Sequence, residues 1–167
     1  MDIADQFTHV IKEHKGLIFK VAALYTNNLE DRNDLYQEIV YQLWKSFGSF
    51  YGQSKVSTWM YRVALNTAIY HLKQTKRRVD TIPLEVGADR FADEMDRLEE
   101  ERIQQLYAHI QLLNLLERGI ILLYLEGKSY DEIAAIVGIT VSNVGTRISR
   151  IREKLRTQIT KKQAIWN

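Results

Sequence analysis

The chain has very few of the residues that make tight turns. Its 167 residues include one proline and eight glycines. An antiparallel sandwich or barrel needs a turn about every 8–12 residues, and glycine and proline usually supply it. Hydrophobic residues still make up 46% of the chain, which is enough to bury a core. The sequence therefore predicts an all-α protein.

Several classes of protein are excluded by composition. There is no cysteine, which excludes disulfide scaffolds, thiolate zinc sites and cysteine nucleophiles. No segment approaches the roughly 18 apolar residues of a membrane span. The first residues also lack the basic and apolar pattern of a signal peptide. We therefore expect a soluble, cytoplasmic protein with no membrane insertion.

Charge divides the chain into three parts. Residues 1–80 carry a net charge of +3, residues 81–111 of −5 and residues 112–167 of +4. Two basic ends that flank an acidic connector indicate a polyanionic partner for the ends. A domain boundary is predicted between residues 80 and 105, in the stretch that contains the single proline, Pro83.

Apolar residues at helical spacing predict a helix over residues 3–25 and another over 32–47. A third helix is predicted to begin at a Ser54 cap and to run into the basic segment 73–78. Residues 48–54, between the second and third of these helices, are predicted to form a loop because they are rich in glycine and serine. A further helix is predicted through the acidic residues 93–101, followed by one over 115–125 with Asn114 as its cap.

Near the C-terminus the pattern is that of a helix-turn-helix. Ser129 and Glu132 form a capping box, Gly138 can end the helix in the left-handed conformation, and Thr140 can cap a second helix over 141–155. The apolar side chains of that second helix are predicted to point inward: Val144, Ile148, Ile151 and Leu155. Its outward side chains are small, polar or basic, as reading of the DNA major groove requires.

Eight of the seventeen aromatic residues lie between residues 36 and 61, close to several lysines and arginines. Such a mixture can stack the bases of a single strand, worth about 1–3 kcal/mol per base. We expect Trp44, Phe47 and Trp59 to be buried, because they lie on apolar helical stripes. The loop over 50–57 is then left to meet a ligand.

No active site is predicted. Gly127-Lys128-Ser129 resembles the end of a phosphate-binding loop, but the required earlier glycine is Leu122 and no strand precedes it. The four histidines lack metal-ligand spacing, and the acidic stretch is expected to be a solvated helix face. No catalytic residue, metal site or cofactor is therefore predicted, and the chain is not expected to be an enzyme.

Two motifs occur in one order along the chain. Asp34-Leu-Tyr-Gln-Glu38, with Phe50-x-Gly52 and Ser57-Thr-Trp59-Met-Tyr-Arg62-Val-Ala-x-Asn66, resembles the promoter-melting domain of bacterial RNA polymerase sigma factors. Tyr124-Leu-Glu-Gly127-x-Ser129 and the residues that follow to Leu155 resemble their C-terminal helix-turn-helix. With no further domain between them, the chain resembles the small extracytoplasmic-function type.

The resemblance implies three parts: region 2 over residues 1–80, an acidic linker over 81–105 and region 4 over 106–167. It implies binding to core RNA polymerase (the beta and beta-prime subunits) and to promoter DNA, and inhibition by an anti-sigma factor. The residues that match polymerase-docking positions are Asp34, Leu35, Gln37 and Glu38. Those that match minus-ten positions are Phe50, Tyr51, Gly52, Gln53, Ser54, Lys55, Trp59, Arg62 and Asn66. Those on the minus-thirty-five face are Ser142, Asn143, Gly145, Thr146, Arg147, Ser149, Arg150 and Arg152.

The chain departs from the family pattern at two places. The proline usual near Asn114–Leu115 is absent, and Gly145 stands where a larger side chain is common. Two other functions are compatible with the residues alone. A free-standing helix-turn-helix regulator would leave the aromatic cluster unexplained. A DNA-acting enzyme such as a recombinase would need a nucleophile that residues 1–80 do not supply.

Overall fold

The computed structural model describes residues 2–50, 52, 54–76 and 97–166, and all regular structure within those ranges is helical. The prediction of an all-α fold is confirmed for these residues. The chain divides into two compact units, Met1–Gly87 and Ala88–Asn167. The helices are α1 (Ile3–Leu24), α2 (Leu29–Phe47), α3 (Val56–Lys76), α4 (Arg97–Ile110), α5 (Leu115–Leu125), α6 (Tyr130–Val137) and α7 (Val141–Trp166).

The first unit is built from α1, α2 and α3, each of which packs against the other two. Its core contains the fully buried side chains Ile18, Leu24, Leu35, Ile39, Leu43 and Met60. α2 begins three residues before the predicted position, because the Asn28 side chain accepts a hydrogen bond from the Asp31 amide at 2.8 Å and so caps the helix. Glu30 and Asp31 also favour this start, since acidic side chains stabilise the first turn of a helix.

The start of α3 differs from the prediction by one residue. The first helical hydrogen bond runs from the Trp59 amide to the Lys55 carbonyl, at 3.1 Å. Lys55 therefore holds the capping position, and the expectation that Ser54 would hold it is wrong.

The second unit contains α4 to α7. Three predicted caps are present: Asn114 Oδ1 accepts from the Glu117 amide (2.9 Å), Ser129 Oγ from the Glu132 amide (3.1 Å) and Thr140 Oγ1 from the Asn143 amide (3.1 Å). Gly138 ends α6 with a φ of +78°, in the left-handed region that a side chain disfavours. These caps fix the helix-turn-helix of α6 and α7.

α7 is longer than predicted, since it continues to Trp166 instead of ending at Leu155. The four predicted inward residues, Val144, Ile148, Ile151 and Leu155, are all buried. Part of the predicted linker, residues 97–105, forms the first turns of α4, because its apolar residues keep helical spacing. Residues 77–96, with the rest of that linker and Arg77 and Arg78 of the basic run, lie outside the described residues.

Candidate nucleic-acid interface

A row of aromatic rings connects α1 of the first unit to the loop of residues 48–55. Phe7 contacts Phe47 with ring centroids 5.3 Å apart, and Phe47 lies 6.1 Å from Trp59. Phe50 stacks on Trp59 at 4.9 Å, with 25° between the ring planes. Trp59 is only 8% exposed, so it supports the partly exposed Phe50 ring from below.

Trp44 is not buried, in contrast to the prediction. It meets Phe7 edge-on at 5.0 Å, but 43% of its surface is exposed. The apolar stripe of α2 is wider than the contact with α1, and Trp44 lies at its margin. Phe47 is half-buried and Trp59 is buried, as expected.

The segment predicted to capture a base is residues 50–57, of which the last two, Val56 and Ser57, belong to α3. Gly52 is exposed and has a φ of +70°, which a glycine adopts without strain. Lys55 is exposed and Ser54 partly so. Tyr51 and Gln53 lie outside the described residues. A cleft of about 460 Å³ runs beside the loop and is lined by Ile3, Gln6, His9, Val10, Phe47, Gly48, Phe50 and Val56.

One face of α3 is polar and cationic. The helix contains no aspartate or glutamate from Val56 to Lys76. Arg62 and Asn66, both predicted, are exposed on this face, and Tyr70 and Lys73 continue it. The Gln74 side-chain amide donates a hydrogen bond to the Tyr70 hydroxyl at 2.9 Å. Tyr70 was not among the predicted site residues, although its four-residue step from Asn66 places it on the same face.

The four predicted docking residues lie on two different sides of α2. Asp34, Gln37 and Glu38 are exposed, and Glu38 accepts a hydrogen bond from the Gln42 side chain at 3.0 Å. Leu35 is 0% exposed and belongs to the core, so its assignment to an outer docking surface is wrong. The helical period places it on the opposite side from Gln37.

In the second unit, α7 exposes six of its eight predicted residues: Ser142, Asn143, Thr146, Ser149, Arg150 and Arg152. Arg147 is half-buried, and its Nε donates to Asn143 Oδ1 at 3.2 Å. The Arg152 guanidinium lies 5.9 Å from the Tyr124 ring centroid, a cation–π contact. The first acidic residue after Val141 is Glu153, so the face up to that point is uniformly basic or neutral.

Gly145 faces α6. A Cβ built on it would lie 3.5 Å from Tyr130 Cε2, an ordinary van der Waals contact. The glycine is thus at the edge of the outer face, where a long side chain would meet the Tyr130 ring.

Neither membrane nor metal chemistry is indicated by the residues that the structure describes. No helix among them is long and apolar enough to cross a bilayer. Within the same residues no three histidine, aspartate or glutamate side chains come together as metal ligands would.

Two family models match the chain. The model of sigma-70 region 2 matches residues 10–78, and that of sigma-70 region 4 matches residues 103–155. A sigma-E factor of Haemophilus influenzae, an ECF RNA polymerase sigma factor, is 36% identical over 155 residues, covering 84% of this chain and 82% of its own length. The sigma-E factor of Escherichia coli strain K12 is 33% identical over 154 residues, covering 84% and 81%.

Solved structures share the fold. The sigma factor RpoE from Bartonella quintana, in complex with the anti-sigma factor NepR, matches with a TM-score of 0.72 and 18% identity, over 93% of this chain and 97% of the other. CnrH, in complex with the cytosolic domain of CnrY, matches with a TM-score of 0.64 and 24% identity, over 93% and 88%.

Proposed function

The chain belongs to the sigma factors of bacterial RNA polymerase, in the extracytoplasmic-function class, and from this membership we propose how its parts share the work of promoter recognition. As a sigma factor it acts in transcription initiation and is not a free-standing regulator. Residues 1–80 are assigned to region 2, residues 81–105 to the linker and residues 106–167 to region 4.

The exposed face of α2 is assigned to docking on the polymerase. Asp34, Gln37 and Glu38 form a polar, acidic strip, and the bond from Gln42 holds the Glu38 carboxylate in place. Carboxylates at the rim of an interface select a basic partner surface and speed association. Leu35 contributes from inside, because it fixes the helix against the core of its unit.

The 48–55 loop and α3 are assigned to the minus-ten element. Phe50 presents an aromatic ring that is already stacked and immobilised on Trp59, so a base that stacks there orders little protein. Stacking worth about 1–3 kcal/mol offsets the few kcal/mol that unstacking a base from the duplex costs. Arg62 and Asn66 then hold the adjoining strand from α3.

The exposed face of α7 is assigned to the minus-thirty-five element. Hydroxyl, amide and guanidinium groups can hydrogen-bond base edges in the major groove, and the absence of carboxylates before Glu153 avoids repulsion of phosphates. Ser149 and Arg150 are fully on this face, whereas Arg147 and Arg152 are held by Asn143 and Tyr124. The latter two are therefore assigned to orienting and phosphate contacts.

The proposed mechanism requires no bond chemistry from this chain. Basic residues of both units orient it on duplex DNA, α7 reads the upstream element, and the loop captures a base that has left the stack. The polymerase performs the synthesis, in the cytoplasm. We further propose an anti-sigma factor as an inhibitory partner, because the structural neighbour RpoE was solved in complex with the anti-sigma factor NepR.

The observation that carries the proposal is the presence of both sigma modules, in order, in one chain that covers most of its sigma-E relatives. The test is run-off transcription from genomic fragments, with core polymerase alone and with core polymerase plus this chain. We expect discrete new transcripts only when the chain is present. Failure to confer accurate initiation, or binding of inverted repeats by the chain alone as a dimer, would overturn the proposal.

A further inference from the structure

Tyr70 on α3 is exposed to an unusual degree. With 66% of its surface accessible, it is the most exposed large hydrophobic side chain in the described part of the chain. It lies four residues after Asn66 and three before Lys73, so it shares the cationic face of α3 with them and with Arg62. From Arg62 to Lys73 this face extends about 16 Å along the helix axis.

The hydrogen bond from Gln74 determines what the Tyr70 hydroxyl can do. A phenol has one hydrogen to donate and an oxygen that accepts. Gln74 Nε2 donates to that oxygen at 2.9 Å, which leaves the hydroxyl hydrogen to point away from Gln74, toward solvent. The Tyr70 hydroxyl is thus oriented to donate a hydrogen bond, and a suitable partner is an oxygen atom that can only accept one.

The surroundings identify the class of acceptor. α3 contains no aspartate or glutamate, so no carboxylate of the same helix competes to accept the hydrogen bond from the Tyr70 hydroxyl. Lys73, one turn further on, provides a positive potential at the same place. A phosphate oxygen of DNA is both acceptor-only and anionic, and protein contacts to phosphates fix the register of a protein on the duplex.

We infer that Tyr70 is a further DNA-contacting residue, whose hydroxyl, oriented by Gln74, donates a hydrogen bond to one backbone phosphate of promoter DNA. The inference rests on the proposed function and extends the α3 surface by one turn beyond Asn66. The hydrogen bond from the neutral Tyr70 hydroxyl adds affinity for DNA without adding charge. It therefore differs from the contact expected of Lys73, whose ammonium group is charged.

The first test measures binding of reconstituted holoenzyme to a promoter duplex found by run-off transcription, over a series of salt concentrations. Tyr70→Phe is expected to weaken binding about tenfold with an unchanged salt slope, because a neutral donor releases no counterion. Lys73→Ala is expected to reduce the slope by about 0.9. The matched control is Thr8→Val, which removes an exposed hydroxyl from α1, a helix to which no DNA or polymerase contact is assigned, and it should bind like the parent protein.

The second test finds the phosphate. Single methylphosphonate linkages, which remove the charge and one acceptor oxygen, are placed at successive positions of the promoter. One linkage should weaken binding of the parent holoenzyme and have little effect on Tyr70→Phe. Gln74→Ala should weaken binding less than Tyr70→Phe does, because it frees the hydroxyl without removing it.

The outcomes separate this inference from the function on which it rests. If the holoenzyme transcribes but Tyr70→Phe binds the promoter as tightly as the parent protein, Tyr70 makes no phosphate contact. The same conclusion follows if each methylphosphonate linkage weakens binding of Tyr70→Phe as much as it weakens binding of the parent. In both cases the sigma-factor function stands. If the chain confers no transcription at all, the function itself fails.

Discussion

Lys154 Nζ donates a hydrogen bond to Glu117 Oε1 at 2.8 Å and thereby joins α7 to the first turn of α5. Glu117 is 8% exposed, and its Oε2 has no hydrogen-bond partner among the described residues. Lys154→Ala should therefore lower the free energy of unfolding by about 1–3 kcal/mol, because it leaves a buried carboxylate uncompensated. Urea titration followed by circular dichroism measures the loss.

The matched control for that change is Arg156→Ala. Arg156 pairs with Glu153 at 3.1 Å, but both side chains are exposed, at 69% and 66%. Such pairs contribute only about 0–1 kcal/mol. Equal small effects of the two substitutions would show that the Lys154–Glu117 pair does not hold the second unit together.

Gly145→Ala should stabilise the protein by about 0.5–1 kcal/mol, because glycine inside a helix costs conformational entropy and the added methyl group would only touch Tyr130. Gly138→Ala is the opposing control, since the φ of +78° strains any side chain there and should cost about 1 kcal/mol. Thermal unfolding distinguishes the two. A shift of both midpoints in the same direction would contradict this explanation.

Phe50→Ala should impair opening of the minus-ten element while leaving upstream binding intact, because it removes the ring on which a base would stack. Loss of a stacking contact of about 1–3 kcal/mol predicts at least a severalfold smaller fraction of open promoter. Permanganate reactivity of unpaired thymines gives that fraction. Phe50→Leu, which keeps an apolar side chain above Trp59, should fall between; if it matches the parent, aromatic stacking is not what opens the DNA.

Arg150→Ala should weaken recognition of the upstream element by about 1–3 kcal/mol and leave association with core polymerase unchanged. Mobility-shift titrations with intact and mutated elements measure the difference. Arg156→Ala serves again as control, because it removes an exposed arginine from the same helix beyond Glu153. Loss of polymerase binding equal to the loss of DNA binding would contradict the assignment of this face.

Glu38→Lys should weaken assembly with core polymerase roughly tenfold or more, because it reverses a charge on the proposed docking face. The control is Glu13→Lys on α1, where the exposed Glu13 lies 3.1 Å from His9 of the same helix. Fluorescence anisotropy of labelled protein titrated with core enzyme reports both. If the Glu38 variant assembles with core polymerase as the parent protein does, α2 is not part of the docking surface.

The features that could be predicted from the sequence are those that local chemistry determines. Asn114, Ser129 and Thr140 cap helices through hydrogen bonds that span three residues, and Gly138 is the residue that tolerates a positive φ. Such bonds form wherever those residues stand before a helix, so their positions can be inferred without knowledge of the packing.

The features that could not be predicted depend on which part of a helix face is covered. Phe47 and Trp44 both contact Phe7 from the apolar side of α2, yet Phe47 is half-buried whereas 43% of the Trp44 surface is exposed. Only the width of the contact between helices decides this. In the same way, the end of α7 was predicted where its buried residues end, although the backbone continues as a helix with no residue that breaks it.

The unbroken course of α7 has a practical consequence. Its 26 residues form one rod of about 39 Å, so the direction of its far end reports the direction of the face that is assigned to DNA reading. Because the chain contains no cysteine, a single thiol introduced at the exposed Thr160 can carry a fluorescent dye at one defined position. Energy transfer from that dye to an acceptor on DNA would measure how the rod tilts as a promoter is engaged.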